Sequence, residues 1–368
     1  MSRKKNFEFT IDTACPHTIK KFELIEEYVK SWAQKLLNFK ECNGIVFIDC
    51  MCNSGIYKDI NGNTVYGTPI RISKLLSQTM QAYPQKQALL YFNDLSTDKV
   101  AALKTHLPPD TQNFHIYTSS IDGNELLRRF QAKPQLKFNY LLVYDPYTAS
   151  IDWDALMPFL NIWGEVIINH MVSDTIRGVS QAKKPTAIEK YEKTYKANID
   201  ELIRFGSDRN AFEQKIREII LAQQINSNRK YHVSSFPFFN NKNVLVYNLI
   251  HCSGNIEGFK LFKKTAWKTF GGKSSLKNTH GSENQLMFDL TGSGELTTQT
   301  DEYCYHVKDI AKYLHDKFKG RKNVPFDEVY GVLETHPIFP SDGFRAEIKQ
   351  ELKSIYNVTI SKKTMTFN

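Results

Sequence analysis

At 368 residues and 42.5 kDa, the chain exceeds one ordinary domain, and two folded units are expected. A hydrophobic fraction of 41% beside 24% charged residues excludes wholesale disorder, a collagen-like fibre and a membrane bundle. The 48 basic against 39 acidic residues give a net charge of +9, which favours a polyanionic partner such as DNA or RNA.

No apolar run approaches the roughly 18 residues of a spanning helix, and the basic start, Met1-Ser-Arg-Lys-Lys, has no apolar segment behind it. A cytoplasmic address without membrane contact is therefore expected. The apolar residues from Ile19 to Leu37 recur near a 3.6 period and predict a helix over 17–38. Gly44-Ile-Val-Phe-Ile-Asp49 then reads as a strand buried on both faces of a parallel sheet, because it is apolar throughout and ends in an acid. The pattern returns at Ala88-Leu-Leu-Tyr-Phe-Asn93-Asp94 and Tyr140-Leu-Leu-Val-Tyr-Asp145-Pro146, with helix-like segments at 68–82, 97–107 and 123–130 between. Further strands are expected at 165–169 and 243–250, separated by a long helical stretch near 186–225. This is β/α alternation with a helical insertion at about 172–232.

Residues 271–301, rich in Gly, Ser, Thr and Asn, read as a flexible linker with one apolar patch at Leu286-Met-Phe-Asp-Leu290. Helices are expected at 303–319, 325–335 and 342–356, and Val358 to Phe367 alternates as two short strands around Lys362-Lys363. Three helices followed by a hairpin is winged-helix order, which serves nucleic-acid contact in some proteins and protein docking in others. The division is thus a domain over 1–270, the linker over 271–301 and a winged-helix-like domain over 302–368.

Six scattered cysteines imply reduced thiols, and Cys50-x-Cys52 has no second pair at zinc-like spacing, so no metal is expected. In an open α/β sheet ligands bind beyond the carboxyl ends of the strands. That rule selects Asp49-Cys50-Met-Cys-Asn53-Ser54-Gly55-Ile-Tyr57, where Asn53 can take the left-handed conformation. It also selects Asn93 and Asp94 for ribose hydroxyls, and Asp122 for an adenine amino group, though each taken alone is more often a helix cap or turn residue, and it is their repetition at successive strand ends that points to a ligand. The turn lacks a dinucleotide glycine fingerprint and a phosphate loop. Asp145-Pro146-Tyr147 is similar to the Asp-Pro-Pro-Tyr motif of amino-methyltransferases, with one proline missing; there an acid and an aromatic ring hold a nucleobase amine. His17 and His170 stand out as isolated candidate bases.

Taken in order, these blocks resemble the three-Cys-motif partner proteins, relatives of class I S-adenosylmethionine methyltransferases. His17-Thr18-x-x-Lys21 with Tyr28 and Trp32, Phe47-Ile48-Asp49 through Ser54-Gly55-x-Tyr57, Gly67-Thr68-Pro69 and Asp145-Pro146-Tyr147 look like its landmarks, as do Asn169 with Arg177, Phe205-Gly206, and Tyr247 through Gly254 with Lys260 and Trp267. Cys50 and Asn53 stand where the family's cofactor loop has glycines, and Thr148 replaces another. The resemblance spans about 17–270 and implies a Rossmann-like class I methyltransferase sheet. It implies S-adenosylmethionine as cofactor, with His17, Asp49, Cys50, Asn53, Ser54, Gly55, Tyr57, Asn93, Asp94 and Asp122 around it, and Asp145, Pro146 and Tyr147 at the acceptor. A small three-Cys-motif protein is the implied partner. The expected function is methylation of a nucleic-acid base or related amine; the alternative is a catalytically degenerate module that binds nucleic acid or a partner protein.

Overall fold

The computed structural model describes residues 11–130, 136–161, 164–222, 230–277 and 304–368. In chain order the first elements are β1 (Asp12–Thr13), α1 (Pro16–Asn38), β2 (Gly44–Asp49), β3 (Ile56–Lys58), β4 (Thr64–Tyr66), α2 (Thr68–Met80), β5 (Gln87–Asn93), α3 (Thr97–Lys104), β6 (Phe114–Ser119) and α4 (Gly123–Arg129). They continue with β7 (Phe138–Tyr144), α5 (Trp153–Asn161), β8 (Gly164–His170), α6 (Val172–Val179), α7 (Pro185–Tyr195), α8 (Ile199–Phe205), α9 (Arg209–Ala222), β9 (His232–Phe239), β10 (Leu245–Ser253) and α10 (Ile256–Thr269). The C-terminal part holds α11 (Val307–Phe318), β11 (Val324–Pro325), α12 (Phe326–Gly331), α13 (Arg345–Tyr356), β12 (Thr359–Ile360) and β13 (Thr364–Thr366).

Seven strands form one sheet in the order β6-β5-β2-β7-β8-β10-β9. β6, β5, β2, β7 and β8 run parallel, whereas β10 is antiparallel to both β8 and β9. The five parallel strands therefore follow the Rossmann order, and strand order reverses between β2 and β7, where such sheets leave a crevice. The central strand β2 is buried at every position, as its unbroken apolar run requires. Its alternate side chains enter two different cores: Phe47 packs with α1 and α2, and Val46 and Ile48 pack with α5 and the helices α6 to α9.

α1 starts with Pro16 in its first turn, where a missing N–H costs nothing, and buries Phe22, Leu24, Ile25, Tyr28, Val29 and Trp32. The three helices predicted between the first strands appear at α2, α3 and α4. The edge strand β6 and the strand β9 have no counterpart in the sequence reading. Phe114-His-Ile-Tyr-Thr-Ser is half polar, as an edge strand tolerates, and lacks the continuous apolar signal. A small sheet, β1-β3-β4, arises from strands of two or three residues, too short for any periodicity to register.

The predicted linker, with its Leu286 to Leu290 patch, lies outside the described residues apart from 271–277. Beyond it, α11, α12 and α13 are followed by β12 and β13, and β11 adds a third strand to give the order β11-β13-β12. This part shares one hydrophobic cluster with α1, α2 and α10. Trp267 of α10 is buried, its Nε1 donates to Ile338 O at 3.0 Å, and its ring meets Phe339 and Phe344. Beside it the buried Lys263 Nζ donates to Leu333 O, Glu334 O and His336 O at 2.7, 3.0 and 2.6 Å. Burial pulls this ammonium down to about 7, while three carbonyl acceptors favour its charged form. No helix among the described residues is long and apolar enough to cross a membrane.

Candidate functional site

The carboxyl ends of β2, β5 and β7 converge at the switch in strand order, and each delivers an acid. Asp49 ends β2 and is buried, with the Met51 N–H at 3.4 Å as its donor. Burial first, then the charge of Asp145 and more weakly Asp94, pushes its carboxyl up to about 8, against the opposing pull of Lys21. Asp94, just past β5, accepts from Asn53 N at 3.0 Å, Ser96 N at 2.9 Å and Tyr147 Oη at 3.4 Å. Asp145, just past β7, accepts from Lys21 Nζ at 2.6 Å and from Asn169 Nδ2 at 2.5 Å.

Between them the loop after β2 turns on Asn53, whose φ of 57° is left-handed, and on Gly55 at φ 68°. A Cβ at Gly55 would stand 2.9 Å from Pro69 Cγ, so both its backbone and its contact with α2 require glycine. Asn53 fits the left-handed turn because its amide oxygen bonds locally, Oδ1 accepting from Ser54 N at 2.6 Å, while Nδ2 donates across to Asp12 Oδ2 of β1 at 2.7 Å. Ser54 is buried and closes on Ile56, accepting from its N–H and donating to its carbonyl at 3.2 Å each. Tyr57 packs on Phe22 and against Gly67, behind the loop.

Not every predicted residue faces the crevice with free atoms. The Asn93 amide is buried and spent on the loops, donating to Cys50 O and Ile121 O and accepting from Ser119 Oγ and Ile121 N. Its carbonyl also takes Cys52 N at 2.8 Å, so Asn93 clamps the neighbouring loops together. Cys50 and Cys52 are buried in different cores on opposite faces of the sheet, and burial raises both thiols well above their ordinary range. Asp122 caps α4 by accepting from Glu125 N at 3.0 Å. Pro146 is buried, whereas the Tyr147 ring is 64% exposed and receives Lys99 Nζ on its hydroxyl at 3.2 Å.

His17 sits one turn before Lys21 on α1, its ring edge toward Tyr247, with Nδ1 buried and lacking a partner among the described residues. Burial and Lys21 lower its pKa. His170 ends β8 and is bonded to Tyr195 Oη of α7 at 2.7 Å, and burial drives it down to about 3, so it is a neutral fixture that ties the strand to the helical insertion. Sequence reasoning missed Asp12 and Lys99, which face each other at 3.6 Å across the rim. Nothing local marks them, since Asp12 comes from an unpredicted two-residue strand. A cleft of about 420 Å³ between α1, α2 and β4, lined by Glu26, Tyr66, Arg71 and Lys74 among others, shares no residue with the acid cluster.

No protein-family model matches the chain, and no curated protein matches it in sequence. Among solved structures, a DUF519 protein from Legionella pneumophila str. Philadelphia 1 is similar over 70% of this chain and 93% of its own, at 12% identity and a TM-score of 0.40. Loganic acid methyltransferase with SAH is similar over 69% of this chain and 85% of its own, at 10% identity and a TM-score of 0.30. A SAM-dependent methyltransferase from Anabaena variabilis is similar over 64% of this chain and 91% of its own, at 10% identity and a TM-score of 0.26.

Proposed function

We propose that this chain is an S-adenosylmethionine-dependent methyltransferase acting on an amino group, foremost that of a nucleic-acid base. The observation that carries the reading is Asp49, a buried acid at the switch in strand order, set between two further acids and short of donors. Such a crevice favours a ligand that brings positive charge and several N–H and O–H donors. S-adenosylmethionine has an ammonium, a sulfonium, two ribose hydroxyls and an adenine amine, and it would supply the methyl group.

In this reading the Asp49 to Gly55 loop takes the methionine end and Asp94 the ribose, with Asn93 supporting the loops and Asp122 near the adenine. Asp145 orients the acceptor amine, Pro146 shapes the floor, and the exposed Tyr147 ring offers a face for stacking a base. The acceptor nitrogen would form the new bond to the methyl carbon as the carbon–sulfur bond breaks and S-adenosylhomocysteine leaves as a neutral thioether; the nitrogen would take the positive charge that sulfur gives up and shed one proton to solvent. Positioning of this kind can supply roughly 7–11 kcal/mol of the barrier.

For the C-terminal part we propose a winged helix. The order α11, β11, α12, α13, β12, β13 supports it, and Lys362 and Lys363 are exposed at the turn of the terminal hairpin, where phosphates could be met. A second reading, a degenerate module that binds nucleic acid without turnover, draws on Asn53, whose side chain bridges to Asp12 across the cofactor loop. The small three-Cys-motif protein remains a proposed partner, to be tested by co-purification.

Calorimetric titration with S-adenosylmethionine and S-adenosylhomocysteine separates the two readings. Micromolar affinity, about −8 kcal/mol, supports the enzyme. No binding in folded protein, together with salt-dependent binding of DNA or RNA, supports the degenerate module.

A further inference from the structure

The lobe around Asp145 already holds an amine. Lys21 Nζ lies 2.6 Å from Asp145 Oδ2 and 5.2 Å from the centroid of the Tyr247 ring, and the residue is only 7% exposed. Carboxylate below and aromatic face beside it are the surroundings a bound ammonium seeks. Next to it Asn169 Nδ2 donates to Asp145 Oδ1, which fixes the amide and leaves Asn169 Oδ1 as an acceptor. That oxygen is buried and has no donor in the described residues. A buried acceptor left unpaired is costly in a folded chain, so its presence beside an ion-paired carboxylate points to an N–H that arrives from outside.

We propose that Asp145 and Asn169 form a pair that selects the amino group of the acceptor, and that Lys21 plugs this lobe in the resting chain. The occupant's role as methyl acceptor rests on the reading above; the amine chemistry of the lobe rests on these contacts alone. Adjacent parallel strands fix the pair, since β7 and β8 run in register through Tyr144 and Ile168, one residue before each. Two acceptors on neighbouring strands suit the two hydrogens of one amino group, whereas a hydroxyl has a single hydrogen to give. Methylation places positive charge on the acceptor nitrogen, and a lysine ammonium held on the same carboxylate opposes it. The Lys21 ion pair must therefore open before transfer.

Lys21→Ala removes a propylammonium equivalent, so n-propylammonium is the probe and n-propanol its control, titrated by NMR without cofactor. The variant should bind propylammonium at least about tenfold more tightly than the wild type and prefer it to propanol by a similar factor. Adding Asn169→Leu should remove most of that gain. Equal propylammonium affinity in wild type and Lys21→Ala, or equal affinity for the alcohol, would overturn the proposal. Should the truncation fail to fold, Lys21→Gln keeps the reach and drops the charge, and it should gain about threefold or more; no gain overturns the proposal too. Failure of S-adenosylmethionine to bind would sink the methyl-transfer reading and leave this amine titration intact.

Discussion

Two acids stand near opposite ends of the same sheet, Asp49 at the carboxyl end of β2 and Glu165 at the start of β8, and their surroundings differ in one respect. Glu165 Oε2 accepts from Tyr28 Oη and meets His251 Nε2 at 2.7 Å, while His251 stacks on Phe262 at 4.3 Å. That acid is satisfied by the chain itself. Asp49 receives a long bond from Met51 N and faces Asp145 and Asp94. An acid drawn into the fold thus has two readings: paired internally, as Glu165 is, it is part of the scaffold, and left short of donors at a strand-order switch, as Asp49 is, it is the proposed place of a ligand.

The comparison breaks most readily at ligand affinity. Asp49→Ala should weaken S-adenosylmethionine binding about a hundredfold, near 3 kcal/mol, because a charged pair loses its buried partner. Glu165→Gln should leave that affinity within about twofold, and calorimetry on the two variants checks both. Stability should reverse the order. Glu165→Gln disturbs Tyr28 and His251 and should cost about 2–3 kcal/mol in denaturant unfolding, with no matching cost for Asp49→Asn.

The pH dependence sharpens the contrast. A carboxyl held near 8 in the fold, against its ordinary 3.8, keeps its proton while the unfolded chain has lost it. The Asp49 contribution is therefore full below about pH 4 and declines as pH rises toward 8, and Asp49→Asn should flatten that slope in unfolding experiments. The smallest effect is expected at Asn53. Asn53→Gly suits the left-handed turn, but it gives up the bonds to Asp12 and Ser54. The two should offset to within about 1 kcal/mol of stability.

The sequence made the main architecture legible where its physical signals were strong. β2, β5 and β7 were readable because strands buried on both faces are continuously apolar, and Asp49, Asp94 and Asp145 were readable as their terminal acids. The order of those strands was not, since register depends on pairings between residues far apart. β1, β3 and β4 were too short for a period to appear. The engagement of Asn93 with Cys50, Ile121 and Ser119 was likewise hidden, because an amide at a strand end looks the same whether it meets a ligand or a loop. Lys21 and Asn169 were visible as landmarks, yet their convergence on Asp145 spans 124 and 24 residues and required the fold.

The central claim, that Asp49 awaits a cationic ligand, is tested most directly by titrating S-adenosylmethionine across pH 6 to 8. Micromolar binding at pH 8 that weakens about tenfold per unit as Asp49 takes up its proton, with proton release on binding, is the predicted result. Binding that is independent of pH, or no binding at millimolar ligand by folded protein, would contradict it.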